Sequence, residues 1–454
     1  MASTTLAVSF FNRIGEKPMG IMELKARAEK VLMPAYLRYH PDYPLWVARA
    51  EGAYLYDQEG RRYVDAFGEV CTASVGHCHP EVVAALREQI GQVWHVPSLY
   101  YSEPIVAAAE ALVAVMHVPD CQVFWVNSGT EATEFAAQLA TLSTGRSNFL
   151  CFRGSFHGRT RFSASVTVQG AWRKRVGVTL VPGVYPVPTP YAYREKPEGL
   201  NEDTYFNWIL AEIDRTIEHA CGGQLAGMFI EPMLGNGGVI YGPKWFYDGL
   251  VDRVHKAGGL VIADEVQTGV GRTGTWWGSS DWSVQPDIWD MAKGLGNGFP
   301  VGAVVARPEV AAAFNGTAHF STYGGNPLAM VVVKKVLEIV GRSETLANIE
   351  RQGARFLGTL RNLKRDHRLI GDVRGTGLML GVELVEDKNK TPASPATMAA
   401  VMDGCRNKGV LLGKGGICGN VIRIKPPYCT SDEDTVTIMK VFDKVLTEVE
   451  RATA

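Results

Sequence analysis

Lys293 stands in Trp289-Asp-Met-Ala-Lys-Gly-Leu-Gly-Asn-Gly298, after an apolar run and before glycine-rich backbone. A lysine pressed among apolar residues loses proton affinity, and its free amine becomes a nucleophile able to form a Schiff base. Most lysines are solvated charges, so the surrounding pattern has to carry the argument. Asp264 closes the apolar run Leu260-Val-Ile-Ala263 and leads into Glu265-Val-Gln-Thr268. A carboxylate there is costly unless it meets a cation or several hydrogen-bond donors. Exposure at a strand end is the common alternative, and the polar neighbours favour a site. Ser128-Gly-Thr-Glu-Ala132 follows the strand-like Gln122–Val126. Small residues between a strand and a helix leave backbone N–H groups and a favourable dipole for an anion. An ordinary helix cap would use the same Ser or Thr.

Other patterns suggest chemistry and fail on context. Gly269-Val-Gly-Arg-Thr-Gly274 matches a dinucleotide fingerprint, but Thr275-Trp-Trp-Gly278 is a poor helix start, so a tight loop is expected. His77-Cys-His79 with Cys71 offers no further ligands at usable spacing, so a structural turn ending in Pro80 is expected and no metal. No G-x-S-x-G elbow has suitable surroundings, which disfavours a Ser-His-Asp hydrolase.

These candidates need elements to hold them. Apolar strands at Gln122–Val126, 147–152, 225–230 and 260–263 alternate with helical stretches at 131–142 and 243–256. That alternation predicts an α/β fold with a mostly parallel sheet covered on both faces. Ligands of such sheets bind beyond the carboxyl ends of the strands, where every candidate above lies. The last third reads differently: long amphipathic helices at 327–340 and 344–364, strands within 373–385, a helix at 396–408, the strand 421–425 and a closing helix at 432–453. It predicts a smaller α+β domain. The expected division is a segment 1–64 joining the small domain, a large domain 65–330 and a small domain 331–454.

With 454 residues, 46% hydrophobic and 20% charged, the chain is long and apolar enough for several cores, so a disordered or fibrous reading fails. Its net charge of -1 lacks the basic excess that draws proteins to nucleic acid or anionic lipid. The 8 cysteines are scattered without a C-x-x-C pair, which fits a reducing compartment. Met1–Phe11 has no basic segment ahead of its short apolar run and makes a weak signal peptide, and no run approaches a membrane span. A cytoplasmic location is expected.

Taken together, the motifs resemble the class III aminotransferases of the fold-type I pyridoxal-phosphate enzymes, over almost the whole chain from Pro44. The resemblance rests on Tyr63-Val-Asp65 with Gly76-His-Cys-His-Pro80, Asn127-Ser-Gly-Thr-Glu-Ala132 and Phe156-His-Gly158. It continues through Leu260–Gly269 with Gly271-Arg-Thr-Gly274, Ala292-Lys-Gly294 with Asn297-Gly-Phe-Pro300, Thr322-Tyr-Gly-Gly-Asn-Pro327 and Val373-Arg-Gly-Thr-Gly377. Gly76–Pro80 and Ile422-Arg-Ile-Lys-Pro-Pro427 are similar to the second alanine–glyoxylate type within that family.

The resemblance implies pyridoxal 5′-phosphate as cofactor and a role for each matching residue. Lys293 would hold the cofactor in Schiff-base linkage and then shuttle the substrate proton. Asp264 would keep the pyridine nitrogen protonated, so that the ring acts as an electron sink. Val266 would pack under the ring, Phe156 over it, and Gln267 would bond the phenolic oxygen. Ser128, Gly129 and Thr130 would hold the phosphate, with His157 and Glu231 also in the cofactor site. Thr322 would reach the phosphate of a neighbouring subunit, which implies a homodimer with its active site at the interface, or a tetramer built from it. Arg423 would bind the substrate carboxylate, because a guanidinium fork suits that geometry.

One departure bears on substrate. Relatives specialised for ω-amino groups carry a glutamate, in a segment after Glu-Pro, that pairs with the carboxylate-binding arginine. Here Glu231-Pro-Met-Leu-Gly-Asn236 has a neutral Asn236 in its place. The expected reaction is therefore ping-pong transfer from an α-amino acid such as alanine to a small keto acid of the glyoxylate or pyruvate type. The alternatives are an ω-amine or β-amino acid transaminase, a lyase or racemase on the same fold, and a cofactor-binding regulator. The presence of both Lys293 and Asp264 disfavours the last.

Overall fold

The computed structural model describes residues 20–36, 39–40, 44–174 and 179–453. The leader reading of Met1–Phe11 lies outside them. The described residues up to Ala50, with Leu55–Arg62, form one compact unit; Glu51–Tyr54 and Tyr63 onward form a second. The first carries a helix, Ile21–Val31, with no buried residue, most of β1 (Val47–Glu51) and most of β2 (Tyr54–Asp57). β3 (Arg62–Asp65) leads into the second.

The second unit is organised by a seven-stranded sheet. Its strands are β4 (Gln122–Val126), β5 (Phe149–Phe152), β6 (Val184–Val187), β7 (Gly227–Ile230), β8 (Leu260–Asp264), β9 (Ile288–Met291) and β10 (Gly302–Ala306), in the order β4-β10-β9-β8-β7-β5-β6. Strands β9 to β6 pair in parallel, while β10 runs antiparallel to both of its neighbours. Alternate side chains enter different cores, as the pleat requires. Phe149, Cys151, Phe229 and Ile262 pack with Phe135, Ala136 and Ala140 of helix Gly129–Thr144. Leu150, Phe152, Met228, Ile230 and Val261 pack with helices Glu202–Ala220 and Lys244–Lys256. Strands covered on both faces must be continuously apolar, which is why polar residues collect at their ends.

Helix Pro327–Val340 carries the chain to a four-stranded antiparallel sheet, ordered β11 (Ile370–Thr376), β12 (Met379–Leu384), β15 (Val421–Ile424) and β14 (Gly413–Gly415). Between them β13 (Val410–Leu411) pairs in parallel with Val64 and Asp65 of β3. Helices Ser343–Asp366, Pro395–Asn407 and Asp432–Ala452 supply the rest of this core. Among the described residues no helix is long and apolar enough to cross a membrane.

The Gly269–Gly274 segment is the expected loop, and its neighbours give the reason. Gly271 and Gly274 have φ of +90° and +96°, and Leu378 N–H donates to Arg272 O at 3.0 Å, tying the loop to the Gly377–Leu378 turn between β11 and β12. Helix Ser343–Asp366 crosses that turn at Gly353, where an added Cβ would stand 2.9 Å from Gly377 Cα. Gly353→Ala should therefore lower the unfolding free energy by about 1–3 kcal/mol, the usual range for overpacking. Urea unfolding tests this, and an unchanged midpoint would mean the crossing relaxes freely.

Candidate active site

Adjacent strands end together and deliver their polar residues to one place. Asp264 closes β8, and its Cα partner on β9 is Asp290, three residues before Lys293. Glu231 follows β7 directly, Phe156 and His157 follow β5, and Ser128 follows β4. Asp264 is buried, with Oδ1 accepting from Val266 N–H at 3.0 Å and Oδ2 2.7 Å from His157 Nδ1. Glu231 accepts from Phe156 N–H and Gly235 N–H, both at 2.8 Å. Burial, reinforced by the charge of Asp264 and opposed by His157, pushes its carboxyl up to about 7.

Lys293 begins a single turn of 3₁₀ helix, Lys293–Leu295, at φ +45°. A left-handed lysine is a strained residue, costing on the order of 1–3 kcal/mol, and such residues persist where the surroundings over-determine them. Here Leu295 N–H and Gly296 N–H close the turn at 3.0 and 2.9 Å, and Gly294 lets Ser74 Oγ approach to where its own Cβ would stand 2.6 Å away. Burial lowers the proton affinity of Lys293, with Asp264, Cys71 and Glu231 opposing. The result is an amine poised to lose its proton inside an apolar, acid-lined cleft.

Ser128 caps the 16-residue helix Gly129–Thr144 by accepting from Glu131 N–H at 3.2 Å. Thr130 Oγ1 accepts from Arg159 N–H at 3.1 Å, and an added Cβ on Gly129 would meet both Val266 methyl groups at 3.1 Å. The helix terminus thus touches the segment after β8. Phe156 meets Trp172 edge-on at 5.1 Å between ring centroids. Gln267 is buried, and its Oε1 receives Lys425 Nζ at 2.9 Å and Cys71 Sγ at 3.8 Å.

Two expected residues stand differently. Arg423 is 3% exposed, so it is no surface charge: it donates to Lys414 O at 2.6 Å, lies 4.9 Å above the Phe67 ring and packs against Gly415. Asn236 belongs to the adjoining layer: its O accepts from Gly416 N–H at 3.0 Å, and its Nδ2 donates to Gln169 at 2.6 Å. Thr322 is exposed. His77 pairs with Asp65 at 2.8 Å, and ligand atoms of Asp65, Glu69 and His77 lie within 4.8 Å of one another, without Cys71 or His79.

Sequence reasoning missed three members of the cluster. Asp290 is fully buried with Oδ1 unpartnered; Thr133 donates to its Oδ2 at 2.9 Å. Burial and the neighbouring Asp264 charge hold its carboxyl well above the usual range. The signal was a lone carboxylate inside an otherwise apolar strand. Lys425 shares a face with Arg423 by the two-residue period of the strand. Burial raises the Cys71 thiol, but Lys425, Arg272, Lys293 and Arg423 together hold it below its ordinary value. Local sequence marks Cys71 only as a metal-ligand candidate beside His77 and His79.

The family description "Aminotransferase class-III" matches residues 36–446. The chain belongs to the class III aminotransferases. It is 39% identical over 401 residues to the mitochondrial alanine–glyoxylate aminotransferase 2 homolog 2 of Arabidopsis thaliana, covering 88% of this chain and 82% of that protein. It is 34% identical over 427 residues to the human mitochondrial alanine–glyoxylate aminotransferase 2, covering 89% and 82%. Among solved structures it resembles a Vibrio fluvialis aminotransferase in its PMP-bound form, with a TM-score of 0.90 at 27% identity over 97% of this chain and all of the other. It also resembles an (S)-enantioselective ω-transaminase from Thermomicrobium roseum, with a TM-score of 0.88 at 30% identity over 95% of this chain and 100% of the other.

The protein is thus a transaminase that uses pyridoxal 5′-phosphate, and the cleft residues fit that group. His157 Nε2 is buried without a partner, Gln267 Nε2 makes no hydrogen bond among the described residues, and the helix terminus at Gly129 is suited to a phosphate. When bound, the cofactor supplies an electron sink for the bonds around the substrate Cα.

Asp290 yields a test. Its folded-state carboxyl is raised, so it stabilises the fold below the unfolded value of about 3.9 and loses that contribution as pH rises. Asp290→Asn keeps a carbonyl for Thr133 and has no proton to lose. Its stability relative to wild type should grow by up to ~1.4 kcal/mol per pH unit as pH rises above about 4. Urea unfolding of the holoenzyme at several pH values measures this; a pH-independent difference would mean that Asp290 is ionised in the fold.

Proposed function

We propose that this aminotransferase takes the amino group of an α-amino acid such as alanine and passes it to a small 2-keto acid of the glyoxylate or pyruvate type, in ping-pong order. The observation that carries the reading is Arg423, buried beside the cleft, with neutral Asn236 in the adjoining segment where a carboxylate would otherwise compete for it. The names of the Arabidopsis and human relatives support the same substrate pair. In this reading the guanidinium binds the α-carboxylate, which aims the Cα–H bond at Lys293. Lys293 holds the cofactor in the resting enzyme, then moves the proton that leaves Cα. Its lowered proton affinity suits that work.

Asp264 would hold the proton on the cofactor's ring nitrogen, and His157 and Val266 N–H fix the orientation of its carboxylate. Ser128, Gly129 and Thr130 would hold the phosphate, Val266 and Phe156 would pack against the ring, and Gln267 would donate to the phenolic oxygen. Glu231 fixes the Phe156 backbone through its accepted hydrogen bond.

A homodimer completes the proposal. Trp94, Leu99, Tyr100, Tyr101, Phe320 and Tyr323 are all at least half exposed, and Ser98 and Ser321 join their two segments through hydrogen bonds of 3.3 and 3.4 Å. An apolar patch of this kind marks an association surface, and Thr322, exposed between Phe320 and Tyr323, would serve a partner's phosphate site in that dimer. The separate sheets support the division into a segment 1–64, a large domain 65–330 and a small domain 331–454. The free cysteines support a reducing compartment, read as the cytoplasm, and subcellular fractionation would check it.

Two experiments test the function. The yellow band of the purified enzyme should bleach with L-alanine alone, and Lys293→Ala should abolish the response; bleaching only with ω-amines or β-amino acids would overturn the substrate choice. Asn236→Glu should lower kcat/KM for L-alanine by at least about tenfold, roughly 1.4 kcal/mol, while sparing amines that lack a carboxylate. Unchanged activity toward α-amino acids would refute the role given to Asn236.

A further inference from the structure

Lys425 is a fully buried lysine for which the reaction as derived so far has no use. Its backbone is held rigidly. The N–H donates to Ala66 O at 2.8 Å, Pro426 and Pro427 follow, and Gly68 approaches so closely that an added Cβ would stand 2.6 Å from Lys425 O. From this anchor Nζ reaches Gln267 Oε1 at 2.9 Å, with Gly235 O at 3.5 Å as its second acceptor.

The contact decides how the Gln267 amide is oriented. An amide can turn over at little cost unless its partners distinguish oxygen from nitrogen. Here the oxygen faces two donors, Lys425 Nζ and the Cys71 thiol at 3.8 Å, while the plane lies against Gly235, where an added Cβ would touch Cδ and Oε1 at 2.7 Å and Nε2 at 2.9 Å. The amide is clamped on its face and on its oxygen, and Nε2 makes no hydrogen bond among the described residues.

We propose that Lys425 is a positioning residue for the cofactor: by donating to Gln267 Oε1 it fixes the amide so that the NH₂ group is the one offered to the phenolic oxygen. The inference rests on the reading that Gln267 reaches that oxygen. Burial drives the Lys425 ammonium down to about 7, with Cys71 opposing and Arg423, Arg272 and Lys293 adding to the fall. An amine keeps N–H donors in either protonation state, so the contact survives the loss of the charge.

The test is spectroscopic. A donor to the phenolic oxygen favours the form of the lysine-bound cofactor in which that oxygen carries full negative charge, and so lowers the pH midpoint of its visible band. The midpoint is measured by absorbance titration of the holoenzyme for wild type, Lys425→Met, Gln267→Leu and the double variant. Lys425→Met and Gln267→Leu should each raise it by roughly one pH unit, and Lys425→Met should add nothing in the Gln267→Leu background. No shift in Lys425→Met would overturn the proposal. So would an equal shift in both backgrounds, which is the mark of a bare charge acting directly. If Gln267→Leu alone leaves the midpoint unchanged, the placement of Gln267 itself fails, and the inference with it. Removing one of several clustered cations should not prevent folding, and Lys425→Ala is read in the same way if methionine does not fit.

Discussion

Asp264 lies at the end of a buried strand, in contact with an imidazole and one backbone N–H, and with a second carboxyl at the facing position of the next strand. Charge in such a place is stable only if opposite charge and donors converge on it. Much of the cleft can be read as the answer to that requirement. His157 is held against Asp264 by a loop that Thr133 and Thr167 brace, with Thr133 Oγ1 bonding both His157 O and Asp290 at 2.9 Å. Lys293 lies close enough for Asp264 to oppose the loss of its proton, and its strained backbone is the local cost of bringing it there. Asp290 and Glu231 meet the same pressure differently: burial and the Asp264 charge raise their affinity for a proton. One end of one sheet therefore gathers three carboxyls that differ in their hydrogen-bond partners.

The substrate side of the cleft has the opposite problem. Arg423, Lys425 and Arg272 come from the β15 region and from the loop after β8, and all are buried. The Arg272 guanidinium lies 4.5 Å above the Tyr428 ring and donates to Leu378 O and Pro426 O. Carbonyl oxygens, ring faces and the lowered thiol of Cys71 share in dispersing this charge. Glycines make the closeness possible. At Gly129, Gly235 and Gly415 any side chain would occupy space taken by Val266, Gln267 or Arg423.

The residue order alone was enough for the fold class and for much of the cleft. Continuous apolar runs broken by polar clusters mean strands covered on both faces, and polar residues in such a sheet have nowhere to collect but the strand ends. Lys293, Asp264, Glu231 and Ser128 follow from that rule before any coordinate is known. Element boundaries also came close, because β8 and the helices after residue 320 have strong periodicity and clear stops.

Partnership was beyond the reach of local pattern. Asp290 and Asp264 are 26 positions apart and meet only because β8 and β9 lie in register; Lys425 and Gln267 are separated by 158 positions and meet only when β15 is folded against the loop after β8. Whether a carboxyl keeps its proton, or which end of an amide faces the cleft, depends on atoms brought from distant parts of the chain. Residue types and their spacing declare what chemistry is available. The packing of one sheet end against another segment decides which of those groups are charged, how they are aimed and which are left for the ligand, because electrostatics and hydrogen bonding act through space and not along the chain.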